Sequence, residues 1–297
     1  MASGTITELW RYPVKSMRGQ RLEESDVTQA GIIGDRTYAV VDAETGKVCS
    51  AKHPRLWGRL LQCQAWYPSA PDGSAPAPVV IRLPDGSETG SDDAEVDRRL
   101  SELSGRPVRL TTIAPEGNSY LAVWPDGVMP QEYLTQVAVT GEEDEGTLTE
   151  LVNAVAAPQG TFFDVAALHL VTMASLSRLS QLQPASRFEV ARYRPNIVLE
   201  GEVAPFSEND WMGVTVRLGA EVSASVLIPT MRCIMTTLSQ GDLPRDNEVL
   251  RTLSRHNRIE IPGLGRWSCL GAYANVEKTG RVAAGERWVM NAPRGVS

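Results

Sequence analysis

Cysteine and histidine are scarce: the 297 residues hold four and three respectively. Cys49, Cys63, Cys233 and Cys269 stand far apart, with no C-x-x-C pair, so neither a zinc ribbon nor an iron–sulfur cluster is written locally. His53, His169 and His256 offer no helical or hairpin ligand spacing and read as structural. No run approaches the roughly 18 apolar residues of a membrane helix, and the first residues lack a basic stretch followed by an apolar one. The expectation is a cytoplasmic protein with no membrane association and reduced thiols. An excess of basic charge is also missing. The formal net charge is −7, which argues against a nucleic-acid partner while leaving room for a small anionic ligand held by a few local cations. Phosphate and nucleophile signatures are absent: there is no G-x-x-x-x-G-K-[ST], no G-x-G-x-x-G after a strand and no G-x-S-x-G elbow.

What is there reads as short strands. Hydrophobic residues at 42% and charged ones at 22% fit an ordinary globular chain. At roughly 150 residues per domain the length suggests two, placed at 1–140 and 141–297. TITELWRY (5–12) is β-rich, and TYAVVD (37–42) with KVCSAK (47–52) predicts a hairpin around AETG. A helix is expected over 93–104, with Asp92 or Asp93 as its N-cap and Gly105 beyond its end. YPSAPDGSAPAP (67–78) reads as a solvated loop without chemistry, and 141–160 as an acidic segment holding at most one short helix. Strand signals return at 196–201, 214–219, 222–229, 270–276 and 285–290, interrupted by helical patterns at 173–182 and 246–256. The fold class is mainly β with peripheral helices: two packed barrel-like units.

Four polar clusters lie beside strands: Tyr12 to Ser16, Gly34-Asp35-Arg36, Arg192 to Asn196 and Met231-Arg232-Cys233. Singly, each has a plain reading. Lys15 is a solvated loop cation, Asp35 and Arg36 a surface pair, Arg192 and Arg194 water-facing, and Cys233 a small buried hydrophobe.

Their order along the chain changes that reading. ELWRYPVKSMRG (8–19), GIIGDRTYAVVD (31–42), SAKHPRL (50–56), FFDVAALHLVTMASLSRL (162–179), RYRPNIVLEG (192–201), PFSENDWMGVTVRLG (205–219), RCIMTTLSQGD (232–242) and EVLRTLSRHNR (248–258) together resemble the MOSC family. The resemblance is to the branch with an N-terminal MOSC β-barrel domain, whose members reduce amidoximes and N-hydroxylated bases. It implies a molybdenum cofactor, in the molybdopterin form, held between the two β-rich parts. Cys233 then matches the cysteine that ligates molybdenum. Lys15, Ser16, Arg36, Arg194 and Asn196 match residues that hold the pterin and its phosphate. Asp164 matches an acidic residue near the metal, either a proton donor or a carboxylate orienting Arg194. Arg55 lies in a motif resembling a loop that borders the site. The residue types suit those roles: a thiolate completes a sulfur-rich sphere, and guanidinium forks and an ammonium suit a phosphate.

The sequence departs from that family at Val165 and Ala166, where relatives carry small hydroxyl residues, and at Thr230, where many carry cysteine. The chain ends soon after GERWVM, so no C-terminal iron–sulfur domain is expected. The implied activity is reduction of a small N-hydroxylated substrate, with electrons from a separate ferredoxin- or flavoprotein-like donor. The alternative is a sulfur carrier that holds a persulfide on Cys233.

Overall fold

The computed structural model describes residues 2–115, 117, 119–152, 157–158 and 160–290. Its centre is a closed barrel of seven strands. In order around the barrel they are Leu168–Thr172, Ile197–Gly201, Ser3–Arg11, Arg287–Met290, Thr215–Leu218, Val222–Met231 and Gly265–Lys278, which pairs back onto Leu168–Thr172. The first strand of the chain thus completes a barrel whose other strands all come after residue 167. Leu168–Thr172 and Ile197–Gly201 run parallel, so the chain must cross over between them. It does so through the helix Met173–Leu182, whose N-cap Thr172 accepts a hydrogen bond from the Ser175 amide at 3.2 Å. Closure leaves these strands no open edge.

Period-two alternation fills the interior. Leu168/Leu170, Ile197/Leu199, Val216/Leu218, Ala224/Val226 and Ala272/Ala274/Val276 all belong to one buried cluster, which also takes in the indole of Trp288. A second core gathers Val14, Met17, Val40, Leu60, Ile81 and Leu100 beneath the N-terminal strands. A third joins the two halves: Tyr120, Trp124 and Leu151 pack against Leu250, Ile261 and Trp267.

Most expected strands and helices form, with three differences. Ala39–Asp42 pairs with Val108–Thr111, and 47–52 contributes a single bridge, Val41 to Val48. The second arm cannot extend, because Pro54 opens a short helix, Pro54–Trp57, and has no amide to continue a ladder. Segment 141–152 is not helical. Gly146–Val152 pairs with Ala138–Glu143 on one side and Ser119–Trp124 on the other, since Thr147, Thr149 and Leu151 alternate with period two; residues 153–156 lie outside the described residues. Helix Val96–Ser104 starts later than expected: its N-cap is Glu95, without a side-chain cap, and not Asp92 or Asp93, because Asp93 spends its carboxylate on the turn before it, accepting from the Glu95 amide at 2.9 Å; Gly105 (φ 68°) closes the helix as expected. Among the described residues no helix is long and apolar enough to cross a membrane.

Candidate functional site

Where the barrel meets the N-terminal strands, a cavity of about 630 Å³ narrows into a recess of about 50 Å³. The cavity wall includes Arg36, Lys52, Asp164, Arg194, Arg232 and Cys233, and the recess is lined by Lys15, Ser16, Arg36, Asp164, Arg194 and Asn196. Four non-glycine residues among those described have left-handed backbones. Three of them line the recess: Ser16 (φ 64°), Arg36 (φ 47°) and Arg194 (φ 56°). Such conformations cost about 1–3 kcal/mol each and persist only where the surroundings dictate them. For Arg194 the dictate is local: it caps the one-turn helix Val190–Tyr193, and the following Pro195 bars it from continuing that helix.

Asp35, which reads in sequence as half of a surface pair, is 4% exposed and acts as the hub. Its carboxylate accepts from the Tyr12 amide (2.7 Å) and from Asn196 Nδ2 (2.8 Å), and it pairs with Arg36. The Asn196 amide also donates to Trp10 O (3.3 Å) and accepts from the His169 amide (3.1 Å). Its side chain is therefore committed to the protein and braces Asp35; it is not left open to read a flat ligand's edge. The guanidinium carbons of Arg36 and Arg194 lie 4.6 and 4.3 Å from the Tyr12 ring centroid. Burial alone would lower Arg36, but Asp35 keeps it charged. Arg194, pressed by burial and then by Arg36, is pushed down to about 10.

Lys15 is 6% exposed, not solvated; its ammonium donates to Phe162 O (2.8 Å) and pairs with Asp164. Lys52 approaches the other Asp164 oxygen at 3.0 Å and donates to Tyr120 OH at 3.1 Å. Burial favours a neutral Asp164, yet the two lysines hold its carboxyl well below the usual carboxylate range. Asp164 is thus a fixed anion, which removes it as a proton donor at neutral pH, and it anchors lysines and not Arg194. Lys15 is lowered by burial beyond what Asp164 restores, whereas Lys52 is raised well above its ordinary value, burial being outweighed by Asp164 together with Tyr120, Cys233 and Tyr273.

Cys233 is partly exposed, while Cys49, Cys63 and Cys269 are buried; burial pushes the Cys63 and Cys269 thiols up to about 12. Cys233 leads into the turn Ile234–Thr237. Arg192, expected to face water, is 1% exposed and clamps that turn by donating to the carbonyls of Thr236 (3.1 Å), Leu238 (3.3 Å), Pro244 (2.8 Å) and Arg187 (2.9 Å).

His169 reads as structural in sequence but lines both spaces. Burial and the adjacent Arg232 hold it well below its ordinary value, so it is neutral. Arg232 Nη1 lies 3.4 Å from Nε2 and Arg194 O lies 3.4 Å from Nδ1, which assigns the proton to Nδ1. Arg55 does not join the site. Its side chain is 71% exposed and pairs with Glu143 at 2.8 Å, because the helix opened by Pro54 turns it outward. Opposite the cations, Trp124, Tyr133 and Trp267 form an aromatic wall, with ring centroids 5.4 Å (Trp124–Trp267) and 5.2 Å (Tyr133–Trp267) apart.

Residues 158–289 match the MOSC domain, and residues 3–92 match the MOSC N-terminal beta barrel domain. The chain belongs to the MOSC family. The MOSC domain supplies Asp164, His169, Arg194, Asn196, Arg232 and Cys233, and the MOSC N-terminal barrel domain supplies Lys15, Ser16, Arg36 and Lys52. Both matched regions therefore wall one cavity. Mitochondrial amidoxime reducing component 2 of Rattus norvegicus is 26% identical over 300 residues, spanning 95% of this chain and 82% of that relative. Mitochondrial amidoxime-reducing component 1 of Homo sapiens is 25% identical over 293 residues, with the same shares. The solved structure of the YUAD protein from Bacillus subtilis aligns over 99% of this MOSC chain and 100% of its own, at 10% identity and a TM-score of 0.42.

Proposed function

We propose that this chain binds a molybdenum cofactor in its molybdopterin form and reduces N-hydroxylated compounds. One observation carries the reading: a recess lined by Lys15, Arg36 and Arg194 opens into a cavity whose wall holds the chain's one partly exposed thiol.

The cofactor's chemistry fits these residues. Around recess and cavity together, Lys15, Arg36, Lys52, Arg192, Arg194 and Arg232 outnumber the carboxylates Asp35, Glu150 and Asp164, so an anion with about two negative charges relieves an existing excess. Buried Arg232 Nε and Tyr193 OH have no hydrogen-bond partner in the protein, as polar atoms reserved for a ligand would. No three His, Cys, Asp or Glu side chains converge among the described residues, so a metal would have to arrive on its own chelate, with Cys233 adding a soft ligand.

In this reading Arg36 and Arg194 grip the phosphate as forks and Lys15 as a point charge, while Ser16 keeps its left-handed turn by accepting the Ala51 amide at 3.0 Å. Asn196 and Asp35 hold Arg36 in place, and Arg192 fixes the turn that presents Cys233 Sγ. Bound there, the group supplies a metal able to take up oxygen from an N–O bond and to pass electrons. Overall, the N–OH bond breaks with two electrons from a separate ferredoxin- or flavoprotein-like donor and two protons from water, giving N–H and water.

The test is reduction of benzamidoxime by cofactor-loaded protein with dithionite-reduced viologen. Turnover by the wild type and its absence in Cys233→Ala are expected. Equal turnover by both, or none by loaded wild type on any N-hydroxylated compound, overturns the reading; metal-free protein carrying labile sulfane sulfur on Cys233 favours a sulfur carrier instead.

A further inference from the structure

Beside the Cys233 turn, in a region that shares no lining residue with the cavity, lies a group of basic side chains that the site does not use. Helix Glu248–His256 and the hairpin Arg258–Ile261 with Gly265–Lys278 bring Arg255, His256, Arg258 and Arg266 around a shallow depression of about 420 Å³. Through Ser254, Arg255 and Arg258 this depression continues into a groove of about 710 Å³ whose wall includes Ile234 and Thr237 of the Cys233 turn.

Within the depression itself, among the described residues, Arg255, Arg258 and Arg266 meet no lining carboxylate. Glu248 is shared by Arg251 (2.9 Å) and Arg255 (3.2 Å). Arg258 Nε donates to Arg266 O (3.2 Å) and Arg266 Nη2 to Arg258 O (3.4 Å), so the two hold each other and, among the described residues, neither makes an ion pair. Glu260, opposite Arg266 in the ladder, pairs with neither. The acidic groups of the groove, Asp126, Asp144 and Glu145, line it together with Arg245, which Glu145 engages. Holding like charges together in a chain of net charge −7 has a purpose if an acidic surface covers them: the net charge repels such a partner, and the depression with its arginines attracts it.

We infer that this face docks the separate electron donor, an acidic one-electron carrier protein. The inference rests on the reductase reading and names its partner. A carrier seated on the groove lies against Ile234, one peptide bond from Cys233, so electrons enter through the turn that Arg192 clamps while the cavity stays open to substrate. Two reduced carriers are oxidised for each N–OH bond broken, which matches the two electrons required.

The test measures binding of a plant-type ferredoxin and of a flavodoxin to the loaded protein by calorimetric titration at low salt. Wild type and the double variant Arg258→Glu, Arg266→Glu are compared, with Arg258→Gln, Arg266→Gln as the milder change. The inference expects binding that weakens about tenfold on charge reversal, less in the glutamine variant, and that fades as salt rises to ~0.5 M. Viologen-driven turnover should be the same in all three. Carriers that bind wild type and reversed variant alike, or bind neither, overturn the docking face. Loss of viologen-driven turnover in the glutamine variant along with the reversed one also overturns it, since the arginines would then serve the fold. Absence of viologen-driven turnover in wild type sinks the reductase reading separately, because binding is read without turnover.

Discussion

The two walls of the cavity are built on opposite principles. On one, Lys15 and Asp35 are buried and Arg36, Asp164 and Arg194 half-buried charges, each fixed by a specific partner and two of them, Arg36 and Arg194, carried on left-handed backbone. On the other, Trp124 and Trp267 on strands and Tyr133 on the short helix Gln131–Leu134 are held by edge-on ring contacts. Removing one member of the charged wall leaves others buried without counter-charge, whereas the aromatic wall loses only the contacts removed. The charged wall is therefore the fragile one.

The sharpest way to break that comparison is Asp35→Ala, which strips partners from Arg36, Asn196 and the Tyr12 amide at once. Chemical denaturation should register a loss of about 3–5 kcal/mol together with poor cofactor retention. A loss near zero would mean that Asp35 is no hub. Asp164→Asn should cost less, about 2 kcal/mol, because its carboxylate keeps some solvent contact. The pH dependence separates wild type from this variant. Lys15 and Lys52 depress the folded-state pKa of Asp164, so its stabilisation is complete above the unfolded value of about 4 and declines as pH falls further. The Asp164→Asn protein should lack that component, giving a flatter acid limb in denaturation followed from about pH 5 to 2. On the aromatic wall, Trp124→Phe removes the indole hydrogen bond to Thr149 Oγ1 (2.9 Å) and should cost about 1 kcal/mol with metal content unchanged. A Trp124→Phe protein that fails to retain metal would erase the distinction between the walls.

How much of this was legible in sequence depended on how local the cause is. Barrel strands such as Thr215–Leu218 and Ile197–Gly201 announce themselves through alternation, and the end of helix Val96–Ser104 through Gly105. The burial of Lys15, Asp35 and Arg192 is not local. Each is paid for by a partner remote in sequence, Asp164, Asn196 and the Thr236 to Pro244 carbonyls, so statistics on single residues point the wrong way. Lys52 and Arg55 illustrate the limit at close range. Both are basic and sit in the motif SAKHPRL, yet the turn before Pro54 sends Lys52 to Asp164 and the helix after it sends Arg55 to solvent. Proline at 54 was the available signal. Asp164 reads as a candidate acid until both lysines converge on it, and that convergence exists only in three dimensions.

The most direct measurement of the central claim is X-ray absorption at the molybdenum edge on loaded wild type and Cys233→Ala. The account expects the alanine protein to lose one sulfur neighbour from the metal or to lose the metal altogether, with the cationic recess still folded. An unchanged sulfur shell at full molybdenum occupancy would contradict it.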